Sequence, residues 1–131
     1  MEWLGGCLCG DVRYRATGEP WWVGHCHCRM CQRISGASFV TAVMFAKEAF
    51  EWTKGKPTYY QSSETAKRGF CARCSSLLCW ETEDEFSLLA GSMDRPEDIK
   101  PTCHIWAAEM RPWIKLDDGL PRHPGEEPTE S

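Results

Sequence analysis

The chain has 131 residues, a formal net charge of −4 and a pI of about 5.6. That length suits a single domain with a core of its own. The acidic balance disfavours nucleic acid or an anionic membrane as the main partner, since both demand a basic face, and no run approaches the ~20 apolar residues of a membrane helix.

The first ten residues place Glu2, Gly5, Gly6 and Gly10 around Cys7 and Cys9, where a secretory leader needs an apolar run. The expected location is therefore the cytoplasm, where thiols stay reduced and clustered cysteines read as metal ligands. Short apolar or alternating runs follow at 12–16, 38–45, 50–53, 58–61, 76–80, 85–90 and 104–108. They are rich in Val, Thr, Tyr, Phe and Trp and are punctuated by Gly and Pro, which predicts an all-β domain of short antiparallel strands. Helix is confined to single turns at 46–50 and at 95–99, the second with Asp94 before it and Pro96 in its first turn. The folded domain is expected to span 1–116. Residues 117–131, acidic and holding three of the eight prolines, read as a tail lying on the surface or disordered.

Seven of the nine cysteines form three tight clusters: Cys7 and Cys9; Cys26, Cys28 and Cys31; Cys71 and Cys74. A strand points residues i and i+2 to one face, so Cys7 and Cys9 are expected to chelate together. Cys71-Ala-Arg-Cys74 has knuckle spacing, and two such pairs commonly close one four-sulfur zinc site. The remaining triplet offers three ligands to a second metal, the number typical of an open, reactive zinc. Its fourth ligand is open between Cys79, Cys103, His25, His27, His104 and a solvent or substrate atom. Cys79 lies in the apolar run Leu77-Leu-Cys-Trp80, and packing in the core is the default for it and for Cys103. Three thiolates over-neutralise Zn²⁺ and make a soft site that favours sulfur over water.

Gln32, Arg33 and Ser35 follow the triplet directly, and Arg33 either pairs with a substrate carboxylate or makes a surface or structural ion pair. His27 sits between two ligands and should point away from the metal, in an orienting or packing role. His104 is either a proton donor to the pocket or a hydrogen-bonded core residue. Trp21 and Trp22 line a pocket wall or pack in the core.

The motifs Gly5-Gly-Cys-Leu-Cys-Gly-Asp-Val-Arg-Tyr14, Cys26-His-Cys-Arg-Met-Cys-Gln-Arg-Ile-Ser-Gly-Ala37 and Phe70-Cys-Ala-Arg-Cys74 occur in this order, followed by Ala90-Gly-Ser-Met-Asp94 and His104-Ile-Trp106. With these flanks the chain resembles the glutathione-dependent formaldehyde-activating enzyme family, also called the Gfa or centromere protein V family, over about residues 5–115. The resemblance implies a β-tent fold. It implies a structural zinc on Cys7, Cys9, Cys71 and Cys74, and an activity-linked zinc on Cys26, Cys28 and Cys31. It further implies a carbon–sulfur lyase acting on a thiol or thiol–aldehyde adduct such as S-hydroxymethylglutathione. Ser75 departs from the family, which usually has Gly there; a left-handed turn at that point would strain a serine. The alternative function is a non-catalytic zinc-binding interaction module, which a basic extension would mark; the tail here is acidic.

Overall fold

The computed structural model describes residues 1–127. Ten strands carry the chain: β1 (Glu2–Gly6), β2 (Arg13–Thr17), β3 (Trp22–Cys26), β4 (Val40–Phe45), β5 (Phe50–Lys54), β6 (Thr58–Gln61), β7 (Lys67–Phe70), β8 (Leu77–Glu81), β9 (Phe86–Leu89) and β10 (His104–Ile105). One α-helix, α1 (Arg29–Ser35), joins β3 to β4. The all-β expectation holds, and so do the single turns: 3₁₀ helices occupy Lys47–Ala49 and Pro96–Asp98.

The strands form two sheets. β1-β2-β5 make a small one, and β10-β3-β4-β9-β8-β7-β6 make the larger. All pairings are antiparallel except β10 with β3, which sets His104 beside His25 and Ile105 beside Cys26. The inward residues of both sheets share one core. Trp3, Tyr14 and Ala16 of the small sheet meet Val43, Phe45, Phe86 and Leu88 of the large one. Alternation produces this: in β2, Tyr14 and Ala16 are buried while Arg13 and Arg15 face outward. The Tyr14 hydroxyl closes the seam by meeting Ser92 Oγ at 2.6 Å.

Four elements depart from the sequence reading. β1, β3 and β7 were not expected, and neither was α1. β1 and β7 carry glycines that lower strand propensity but permit close approach. A Cβ on Gly5 would stand 2.3 Å from Tyr14 Oη, and one on Gly69 would stand 2.6 Å from Cys79 Sγ. The run at 104–108 is cut short, because Trp106 turns left-handed at φ 54° and starts a 3₁₀ turn at Ala107–Glu109.

The segment after residue 116 is tied to the sheet edge through 127. His104 N–H donates to the Pro121 carbonyl at 2.8 Å, and His123 N–H returns to His104 at 2.9 Å. Trp106 N–H donates to Gly125 at 2.8 Å, and Trp22 Nε1 donates to Glu127 at 2.6 Å. The described part of the segment thus forms an added edge of backbone bonds. Residues 128–131 lie outside the described residues.

Candidate metal centres

Two loops bring the first cysteine set together. The Cys7–Cys9 pair is not on a strand: β1 stops at Gly6, and a turn follows in which Gly10 N–H donates to the Cys7 carbonyl at 3.2 Å. The turn, with Gly10 at φ 84°, brings the two sulfurs together as strand alternation was expected to do. Cys71 and Cys74 come from the β7–β8 turn, closed by Ser75 N–H to the Cys71 carbonyl at 2.8 Å. Ser75 has a φ of 69°, a left-handed conformation that strains a residue with a Cβ.

The Cys7, Cys9, Cys71 and Cys74 sulfurs all lie within 4.8 Å of one another. Cys7 is 3.6 Å from Cys9, and Cys9 is 3.8 Å from Cys71. Sulfurs about 2.3 Å from a shared tetrahedral zinc stand roughly 3.8 Å apart, so the set fits zinc without rearrangement. Neighbouring donors stabilise thiolates there. Val12 N–H reaches Cys7 Sγ at 3.3 Å. Hydrogen bonds from the Ser76 hydroxyl and backbone hold Cys74 down to about 5.

The second set is built at a strand-to-helix junction. Cys26 ends β3, Cys28 caps α1, and Cys31 lies in its first turn. Cys31 N–H donates to Cys28 Sγ at 3.2 Å, so one candidate ligand is also the helix cap. Gly36, at φ 72°, ends the helix by donating to the Gln32 carbonyl at 2.9 Å. Cys31 Sγ lies 3.4 Å from Cys26 Sγ, and the three sulfurs lie within 4.8 Å of one another. In the absence of a metal, hydrogen bonds from Cys26 and then Cys31 hold the Cys28 thiol far below its usual range, while Cys26 is driven up. Two sulfurs stabilising a third as thiolate make a donor set that suits a soft cation.

Among the described residues no other Cys, His, Asp or Glu joins this triplet. Cys79 and Cys103 are each 1% exposed and belong to other surroundings: Cys79 is part of the main core, and Cys103 lies beside His123 and Glu127. His25 bonds Thr41 through Nδ1 at 2.8 Å. His104 uses both ring nitrogens, Nε2 on Asp118 at 2.7 Å and Nδ1 on His27 at 2.8 Å. It is buried, and both of its ring nitrogens are engaged.

His27 does point away from the sulfurs, toward His104. Burial, followed by the charges of His104 and His25, holds it down to about 4. The Asp118 carboxylate only accepts, so with neutral rings the bonds run His27 Nε2–H to His104 Nδ1 and His104 Nε2–H to Asp118. His27 Nδ1 is then a buried acceptor without a partner. The chain from Asp118 fixes the backbone around Cys26 and Cys28 from behind. Asp118 comes from the segment read as a tail, so this link had no sequence signal.

Gln32 is buried and structural, donating to the carbonyls of His27 at 2.6 Å and Glu109 at 3.0 Å. Ser35 donates to the Cys31 carbonyl at 2.6 Å. Arg33 is exposed on α1. Trp21 and Trp22 line a cleft of about 570 Å³ with Trp3, Pro20, Ile99 and Lys100, and no cysteine of either set lines it. The residue that sequence reasoning missed is Arg68. It is 5% exposed in β7, and its Nη1 lies 3.7 Å from Cys31 Sγ. Thirty-seven positions separate the two residues, and only the fold pairs them.

No helix among the described residues is long and apolar enough to cross a membrane. A search of curated proteins found no match. A crystal structure of a Rhodobacter sphaeroides protein is similar at 20% identity and a TM-score of 0.57, covering 91% of this chain and 98% of that one. At that identity the likeness speaks to the fold. The family model described as "Glutathione-dependent formaldehyde-activating enzyme" matches residues 2–109. That match includes all seven clustered cysteines, and the chain belongs to this family.

Proposed function

We propose that the protein is a zinc-dependent carbon–sulfur lyase acting on a thiol–aldehyde adduct of the S-hydroxymethylglutathione kind. The reading rests on one observation: three sulfurs converge at the β3–α1 junction, and no fourth His, Cys, Asp or Glu among the described residues joins them. Cys26, Cys28 and Cys31 hold the reactive zinc, while Cys7, Cys9, Cys71 and Cys74 hold a structural one. Two ions per chain is the proposed load.

A zinc in the triplet would bind the substrate sulfur and keep it deprotonated at neutral pH. In the adduct-forming direction the thiolate sulfur attacks the formaldehyde carbon. The C–S bond forms, and the carbonyl π pair stays on oxygen, which takes one proton from water to become the hydroxyl. The reverse breaks the C–S bond, restores the carbonyl and releases that proton. Arg33 is assigned to a substrate carboxylate at the rim of α1. His104 acts through His27, as a positioning residue behind the ligands rather than as a proton donor in the pocket.

Exchange NMR on glutathione with ¹³C-formaldehyde tests this. Zinc-loaded protein should accelerate interconversion of free and adduct carbon, and Cys31→Ser should not. No acceleration with glutathione or with any small thiol would leave the interaction-module reading in its place.

A further inference from the structure

Arg68 is a buried cation without a carboxylate. Its Nε donates to Ser62 Oγ at 3.3 Å and its Nη1 to Cys31 Sγ at 3.7 Å. Among the described residues it makes no ion pair, although Arg13, Arg15, Arg73 and Arg95 on the surface all do. A guanidinium cannot shed its proton, and burying one uncompensated costs several kcal/mol. Among the described residues, the one group able to carry negative charge that its guanidinium touches is Cys31 Sγ of the triplet. A divalent ion on three thiolates carries a net charge of −1, which is the missing counter-charge.

We propose that Arg68 is the counter-charge of the three-cysteine centre and sets its preference for an anionic fourth ligand. The inference rests on reading the triplet as the open metal site. Without Arg68, a thiolate in the fourth position would raise the net charge of the buried centre to −2. With Arg68 the ensemble reaches only −1. A neutral ligand adds no charge and gains nothing from the guanidinium. Arg68 thus favours thiolates over water or imidazole, beyond what the softness of sulfur does. It acts through charge and one long N–H···S contact, as a positioning and specificity residue.

Cobalt(II)-substituted protein tests this by absorption, without turnover. Wild type, Arg68→Gln and Arg68→Lys are each titrated with 2-mercaptoethanol, azide and imidazole. In Arg68→Gln, thiol and azide affinity should fall by roughly a hundredfold or more, the scale of removing a unit charge about 6 Å away at an effective dielectric of about 20. Imidazole affinity should hold, and Arg68→Lys should stay within about threefold of wild type throughout. Equal losses for all three ligands, no loss in Arg68→Gln, or a folded Arg68→Lys that behaves like Arg68→Gln would overturn the proposal. If Arg68→Gln loses the second cobalt while Arg68→Lys keeps it, the counter-charge is needed by the metal itself, and the proposal stands. Loss from both variants would indicate a packing role and overturn it. Arg68-dependent azide binding without thiol binding would uphold the counter-charge and refute the lyase reading instead. A wild-type centre that takes no fourth ligand would refute both.

Discussion

Gly69→Ala reports on the strand that carries Arg68 into the site. Gly69 pairs with Cys79 across β7 and β8, and an added Cβ would stand 2.6 Å from Cys79 Sγ, 3.1 Å from the Tyr59 ring and 3.2 Å from Pro57. Two effects oppose each other. Alanine in a strand gains about 0.5–1 kcal/mol over glycine in chain entropy. Overpacking a buried site costs about 1–3 kcal/mol. Cys79 is 1% exposed, so its sulfur has little room to yield and the clash should win. Mid-range values leave a net loss of ~1.3 kcal/mol, which predicts a fall in Tm of roughly 4–6 °C for a chain of this size. The assay is thermal unfolding of the zinc-loaded protein. Cys79→Ala removes the sulfur, so adding it to Gly69→Ala should recover most of the loss. Both variants should keep the full metal load, since Cys79 is not a ligand. An unchanged Tm in Gly69→Ala, a loss that survives in the double variant, or a metal equivalent lost with Cys79 would refute the reasoning.

The two cysteine sets should respond differently to the same change. Cys74→Ser should unfold the domain, because a structural zinc contributes folding free energy comparable to a domain's whole stability; Cys31→Ser should lose one metal equivalent and keep its circular dichroism. Tyr14→Phe removes the bond to Ser92, whose hydroxyl still donates to the Leu89 carbonyl at 2.8 Å, so denaturant titration should show a loss of only about 1 kcal/mol. The Arg13 fork, at 3.0 and 2.5 Å, holds Asp94 below its ordinary value of 3.8. That stabilisation is complete above 3.8 and disappears as the pH falls through the lowered value. The stability gap between wild type and Asp94→Asn should therefore stay constant from about pH 8 to 5 and close only in stronger acid.

Cysteine spacing made both cysteine groupings legible, because a site built from local clusters writes its geometry into the chain. The β class was legible from Val, Tyr and Phe at alternating positions, as at Tyr14 and Ala16. The helix at 29–35 was not, since its N-cap is Cys28, a residue that ordinary capping preference does not flag. Gly36 was the available signal for its end. Arg68 read as one more strand charge, because nothing local marks a cation whose counter-ion is a sulfur 37 residues away. The same holds for Asp118. A Pro-rich acidic stretch has the composition of a loose tail, yet its backbone bonds to β10 seat the carboxylate on His104. Spacing also led to the observed grouping of Cys7 with Cys9 by a different local route, since a turn and a strand can each aim i and i+2 together.

Native mass spectrometry with and without glutathione tests the central claim most directly. The account predicts two zinc ions per chain and a glutathione adduct on the fully loaded species, with Cys31→Ser carrying one zinc and no adduct. A wild-type chain with a single zinc, or with two and no thiol adduct at any concentration, would contradict it.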